Sequence, residues 1–256
     1  MKKHVLILLL LLLPFLLFAS IEEAEGILIK AFCNSIIDYS FITLDNTLVY
    51  LGGFKMINLD DYDKDKEYEP DFIDLYYLKT KDEYIRIKFP IYVRANDEKE
   101  ERIYLNFENE KYYYDRDKDK VYSYSYMRSD LVERDEDGSI HLRDICIITG
   151  IEDVIYEEVP CYLIEIKNTL AKCTIKLWIE KERNVFLRWD TILTGNILYQ
   201  RNLYLEYIKL GNYYIEKKYT MWKQESGEYI NIYTIMDPQF IDIDDKFFDS
   251  EILRYL

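Results

Sequence analysis

The chain predicts a mainly β fold with a few helices: an antiparallel meander large enough to curl, with a helix in front of it. Three observations carry this. From Tyr39 onward the apolar residues recur with a period of two, the mark of half-buried strands. Short polar turns separate the runs, which is how antiparallel neighbours are joined. The chain holds 26 tyrosines and 12 phenylalanines against only 8 glycines and 5 prolines, a folded β composition and not a linker.

The N-terminus is read first because it sets the compartment. Lys2, Lys3 and His4 lead into an apolar run from Val5 to Phe18, followed by Ala19-Ser20. A span of that length falls short of the roughly 20 residues a membrane-crossing helix needs and matches the apolar region of a signal peptide. Cleavage is expected after Ala19, with Ser20 the near alternative and an uncleaved anchor the competing reading. No cysteine follows at the cut, so a lipid-anchored product is not expected. Residues 1–19 are therefore assigned to a signal peptide and 20–256 to a single exported domain, expected to be periplasmic.

Ile21–Ile37 places Ile21, Ala24, Ile27, Leu28, Ala31 and Phe32 on one side at helical spacing, with Glu22, Glu23 and Glu25 in the first turn, where the helix dipole favours acids. An amphipathic helix follows from this. Strands are then expected in "FITLDNTLVYL", "FIDLYYLKT", "EYIRIKFPIYVRA", "ERIYLNFENEKYYY" and "KVYSYSYM", and "KMIN" reads as a strand end followed by a charged loop. Ser129–Gly150 breaks the pattern and reads as loop, short helix and loop. Strands return over Val154–Val159, Cys161–Lys167, Cys173–Ile179, Val185–Leu193, Tyr199–Lys209, Tyr213–Trp222 and Tyr229–Met236. The last apolar residues, up to Leu256, are expected to fold back as a short helix or strand.

The alternation collects apolar residues on one face: Tyr162, Ile164 and Ile166; Ile175, Leu177 and Ile179; Leu187, Trp189, Thr191 and Leu193; Leu203, Leu205 and Tyr207; Ile230, Ile232, Thr234 and Met236. Trp178 falls instead on the charged face, as a cross-strand packing residue. A sheet of about ten strands twists and curls rather than staying flat. Its apolar face exceeds what one or two helices need cover, which makes a cavity a real alternative to a packed core.

Charge and composition exclude several functions. The net charge is −15, and losing residues 1–19 removes Lys2 and Lys3 and makes it −17. Such a chain repels phosphate backbones, so no nucleic-acid partner is expected. The aspartate-rich stretches Asp61–Asp65 and Asp115–Asp119 resemble the start of calcium loops, but lysine (Lys66, Lys120) stands where the turn requires glycine, and Phe72 and Tyr126 where the bidentate glutamate belongs. They read as solvated hairpin tips. No metal or cofactor is expected, since His141 is the only histidine of the mature chain and the cysteine spacing fits no zinc motif. Acidic pairs such as Glu157-Glu158 and Asp244-Asp245 are expected by chance among 48 acids, so no catalytic residue is assigned and no enzyme is predicted.

Cys33, Cys146, Cys161 and Cys173 can form disulfides in an exported chain. A hairpin around Asn168–Ala171 sets Cys161 opposite about Trp178, leaving Cys173 roughly 16 Å along the ladder and out of reach. The other pairings, and buried thiols, stay open. The tyrosine runs Tyr112–Tyr114 and Tyr122–Tyr126 raise a carbohydrate-binding β module as a rival, although tyrosine is also an ordinary hairpin residue.

From Tyr84 onward the order of segments resembles the outer-membrane lipoprotein-sorting protein family, carriers of LolA-like (or LolB-like) fold. The series runs "IRIKFPIYVRA", "RIYLNFENEKYYYDRDKDKVY", "DGSIHLRDI", "YEEVPCYLIEI", "KLWIEKERNVFLRWDTILTGNILYQRNLYL", "YYIEKKYTMW" and "FFDSEILRYL". The acidic Tyr62–Asp71 stretch is an addition to that pattern. The resemblance implies an unclosed antiparallel β-barrel, or half-barrel, with helices covering its concave apolar face and "DGSIHLRDI" leading into a lid helix. It implies a carrier of lipid or lipoprotein acyl chains, with a membrane protein as a further partner; a lipid-sensing periplasmic regulator of the same fold is the alternative. The expected cavity lining is Ile164, Ile166, Leu177, Leu187, Trp189, Leu203, Leu205 and Ile232.

Overall fold

The computed structural model describes residues 21–34, 46–80, 83–89, 103–107, 110–115, 120–125, 131–134 and 140–248. The expected leader (1–19), the second aspartate-rich tip (116–119), Tyr126 and the last residues (249–256) lie outside them. A helix, α1 (21–34), is followed by strands β1 (Thr47–Asn58), β2 (Phe72–Thr80), β3 (Glu83–Phe89), β4 (Ile103–Phe107), β5 (Glu110–Asp115), β6 (Lys120–Ser125), β7 (Val132–Arg134) and β8 (Ile140–Leu142). Then come β9 (Cys146–Tyr156), β10 (Val159–Asn168), β11 (Cys173–Glu180), β12 (Phe186–Leu193), β13 (Ile197–Leu210), β14 (Tyr213–Lys223) and β15 (Tyr229–Ile241). Thirteen strands follow the hydrogen-bonded order β6-β5-β4-β3-β2-β1-β15-β14-β13-β12-β11-β10-β9, and the order does not close. The mainly β, unclosed antiparallel architecture read from the sequence is what forms.

The fold corrects the sequence reading in three places. Ser129–Gly150 contains no helix among its described residues: β7 pairs with β8, and β9 begins at Cys146. "DGSIHLRDI" therefore supplies a strand and not the entry to a lid helix. Lastly, β1 runs on through Gly52-Gly53 to Asn58 as one strand. Gly52 is required there, because a Cβ would lie 2.6 Å from the Tyr76 ring, which stacks on Tyr50 at 4.8 Å.

The chain groups into two compact units, Met1–Phe32 with Leu131–Arg201, and Cys33–Asp130 with Asn202–Leu256. In the first unit β9 to β12 form successive hairpins. Glu157 and Glu158 make the two-residue turn between β9 and β10 with φ of 47° and 69°, a left-handed geometry usually left to Asn-Gly. Ile164 stands between Ile151 and Leu177, Ile166 between Ile148 and Ile175, and Leu177 also faces Trp189. These pairs put one apolar face together. Over it lies α1, whose Ala24, Leu28, Ala31 and Phe32 are all buried. That spacing is one helical stripe.

In the second unit β1 joins β2 and β15, and Leu48, Tyr50, Leu78, Ile215 and Ile235 form the core. β15 is covered on both faces, since Ile230, Ile232 and Ile235 are all buried. The acidic segment after β1 folds over β14 instead of standing free as a tip. The Lys218 ammonium donates to the carbonyls of Lys64 (3.3 Å) and Lys66 (3.1 Å), and Tyr68 donates its hydroxyl to the Asp61 carbonyl. Thr220 is buried beside Lys218, and burial raises the Tyr62 hydroxyl pKa. The chain does fold back after β15, with Phe247 edge-on to Tyr77 at 4.9 Å.

Candidate functional site

Four of the eight residues expected to line a cavity come together in the first unit. Ile164, Ile166 and Leu177 have no exposed surface, and Trp189 keeps 7%. Trp189 is anchored at its polar end by donating Nε1–H to Thr191 Oγ1 at 3.3 Å. The Phe32 ring of α1 meets Phe186 edge-on at 5.1 Å and Trp189 at 6.2 Å. The helix covers this face. The helix is further tied by Glu25, whose Oε1 accepts the Leu142 N–H at 3.2 Å.

Leu187 does not sit with these four as strict alternation expects. The ladder slips between Trp178–Arg188 and Ile179–Phe186, so the buried place opposite Ile179 goes to Phe186, and Leu187 is left half-buried at the bulge. The remaining three belong to the second unit. On β13 the buried residues are Asn202 and Tyr204, while Leu203 and Leu205 are half-buried. Ile232 is buried on β15 opposite Thr220 and Lys55. Phe186 was the residue missed in the first unit. The run Val185-Phe186-Leu187, three apolar residues in a row in an alternating strand, carried the signal of a bulge.

The opposite face of the first unit is polar and internally paired. Asp190, 3% exposed, accepts two hydrogen bonds from Arg201 (2.9 and 2.8 Å) and two from Arg188 (3.1 and 2.5 Å). Burial opposes ionisation of Asp190, but the hydrogen bonds and charges of the two guanidiniums prevail and hold its carboxyl below the usual range. The Arg188 guanidinium also covers the Trp178 ring at 4.3 Å, and Tyr156 stands 6.1 Å from Trp178. Trp178 thus packs across strands on the charged face, as its position in the alternation implied. Lys176 pairs with Glu165 and Arg183 with Glu180 on the same surface.

All four cysteines are thiols. Cys161 stands opposite Glu180 and not Trp178, two residues from the expected register. Cys146 and Cys173 flank Asn168 from the two neighbouring strands, about 10 Å apart at two strand spacings, beyond disulfide reach. Burial, reinforced by Glu180, pushes the Cys161 thiol up to about 11, and burial also raises Cys173. Among the described residues no group of His, Cys, Asp or Glu is placed to hold a metal, and no helix is long and apolar enough to cross a membrane.

Tyrosines elsewhere stack on one another. Across β2, β1, β15, β14 and β13, Phe72, Phe54, Tyr233, Tyr219 and Tyr204 follow at 6.3, 5.3, 4.6 and 5.9 Å, and Tyr219 and Tyr233 are within 8° of parallel. The stacked faces of Tyr219 and Tyr233 are turned to each other and not to solvent. In the tyrosine-rich hairpin, Tyr113 is opposite Tyr122 and Tyr112 opposite Ser123.

No family model matches the chain, and no curated protein matches its sequence. Solved structures do match it. A LolA superfamily protein from Nitrosomonas europaea superposes with a TM-score of 0.59 at 11% identity, covering 90% of this chain and 98% of its own. A DUF1329 family protein from Desulfovibrio piger gives 0.55 at 11% identity, covering 81% and 91%. An outer membrane lipoprotein-sorting protein domain from Vibrio parahaemolyticus gives 0.54 at 11% identity, covering 82% and 91%. At such low identity the likeness is one of architecture, and on that ground the chain has the LolA-like fold.

Proposed function

We propose that this is an exported, non-enzymatic carrier or binding protein that shelters the acyl chains of a lipid or lipoprotein and takes part in outer-membrane lipoprotein sorting. The acyl chain takes the face of Ile164, Ile166, Leu177 and Trp189 in exchange for α1. The observation that carries this reading is how slight the cover is. Two of the four buried residues of α1 are alanines, leaving Leu28 and Phe32 as its large buried side chains. At about 1.5–3 kcal/mol for each large side chain and about 0.8 for each methyl, the cover contributes about 6 kcal/mol. Ten buried methylenes contribute about 8 kcal/mol and each further one about 0.8, so a long acyl chain matches the helix cover in buried area without any specific polar contact. The fold likeness to a LolA superfamily protein and to a lipoprotein-sorting domain supports the same reading.

Export rests on residues 1–19, and a regulator that senses lipid would use the same face before passing the signal to a membrane partner. Native mass spectrometry of the exported protein, purified without detergent, tests the proposal. Extra mass released by organic solvent as phospholipid or acylated peptide is expected. An apo mass together with failure to take up a fluorescent fatty acid would overturn it.

A further inference from the structure

One end of the second unit exposes a cluster of apolar side chains. Met56, Leu59, Phe72 and Tyr229 are 51%, 42%, 46% and 47% exposed, four of the nine large apolar residues exposed among those described. Register makes them contiguous. Phe72 is opposite Phe54, with rings 6.3 Å apart; Met56 is two residues on from Phe54 on the same face; and Tyr229 is opposite Asn58, the next position of that face. Neighbours and diagonals on one face of a sheet lie within about 4.5–8 Å. Leu59 is fixed beside them by donating its N–H to the Glu228 carbonyl at 2.5 Å. Single exposed hydrophobics are ordinary, but a contiguous group marks a surface that meets something.

Charge indicates what it meets. The segment leaving this cluster at Leu59 and returning at Phe72 carries seven acids, Asp60, Asp61, Asp63, Asp65, Glu67, Glu69 and Asp71, against Lys64 and Lys66. The first six are exposed, as are Glu225 and Glu228 on the adjoining turn. The segment is held in place, because Lys218 grips two of its carbonyls, Lys55 pairs with Asp71 at 2.6 Å, and Pro70 lies against Gly53. Those anchors lie on the face of the sheet opposite Phe54 and Met56, so the negative border of the cluster is Asp60 and Asp61 at the strand end and Glu225 and Glu228 on the adjoining turn. It repels an anionic lipid surface, and a second copy would bring the same acids against themselves.

We propose that this tip is a docking surface for a protein segment that combines apolar side chains with lysines or arginines. Long-range attraction to the acids would speed encounter, and the exposed apolar cluster would supply the contact. The test is fluorescence anisotropy of a labelled synthetic amphipathic peptide of leucine and lysine, titrated with the full exported protein at low and physiological salt. Two variants, M56S/F72S and D60N/D61N/E228Q, are each expected to weaken binding at least tenfold, the second also flattening the salt dependence. Removing three exposed acids elsewhere, E152Q/E157Q/E158Q, is expected to leave binding unchanged. The second variant alters no apolar contact, so it stays informative if the first folds poorly. Equal loss from the two acid sets, or tip variants that bind like wild type, would overturn the proposal. So would a dimer that M56S/F72S dissociates, or tip-dependent binding to phosphatidylglycerol vesicles.

Discussion

Replacing Phe32 by alanine separates a lid from a core. Phe32 is 1% exposed, meets Phe186 at 5.1 Å and Trp189 at 6.2 Å, and is the largest side chain α1 buries. In a closed core, Phe→Ala costs about 3–5 kcal/mol through lost transfer energy and the cavity left behind. Where α1 and an acyl chain compete for one face, that loss weakens the competitor. If half of it, about 2 kcal/mol, falls on the closed form alone, apparent affinity for a fatty acid rises about 30-fold, at 1.4 kcal/mol per decade. The assay pairs guanidinium unfolding of the apo protein with titration of a fluorescent fatty acid. Phe32→Ala is expected to be less stable without ligand and tighter in binding. A variant destabilised as expected that binds no better, or worse, would refute the competition and leave this face as structural core.

Further outcomes follow from the same geometry. Leu205→Glu should leave fatty-acid binding intact, because Leu205 is half-buried on β13, outside the α1-covered group; measured loss of binding in a folded variant would extend the site to the second unit. Asp190→Asn leaves two guanidiniums without their carboxylate and should cost about 3 kcal/mol at neutral pH, the low end for such a pair because both arginines are partly wet. The folded Asp190 has the lower pKa, so the unfolded chain takes up its proton first; the contribution is complete above about pH 5 and is lost as pH falls below about 4 through the folded value. Unfolding free energies at pH 7 and pH 3 check this, and a gap between wild type and variant that does not shrink at pH 3 would contradict it. Cys161, with its thiol raised to about 11 and no exposed surface, should resist iodoacetamide at pH 8 in the folded protein and react on unfolding, as peptide mass mapping would show.

What the sequence made legible follows from which forces are periodic. The α1 stripe Ala24, Leu28, Ala31 and Phe32 and the alternation through Ile164, Ile166, Leu177 and Trp189 are burial patterns, and they form as read. Register slips are not periodic. The bulge that gives Phe186 the place expected for Leu187 depends on how β11 and β12 pair, and it left only a faint trace in Val185-Phe186-Leu187. Polar burial was the least visible. Lys218, Glu216 and Thr220 look like a wet face of β14, yet they lie covered, with the acidic segment bonded across Lys218. That segment reads as a solvated tip because a backbone carbonyl that accepts from a lysine leaves no mark in the sequence. The β7–β8 hairpin was lost to a helix reading because both strands are only three residues long, too short for a period to show.

The central claim is that an acyl chain and α1 occupy the same face. Amide hydrogen exchange of the exported protein, with and without a bound long-chain fatty acid, tests it most directly. The account predicts that residues 21–34 lose protection when the chain binds while the β10–β11 ladder keeps its own. Unchanged or increased protection of residues 21–34 in the saturated complex would contradict it.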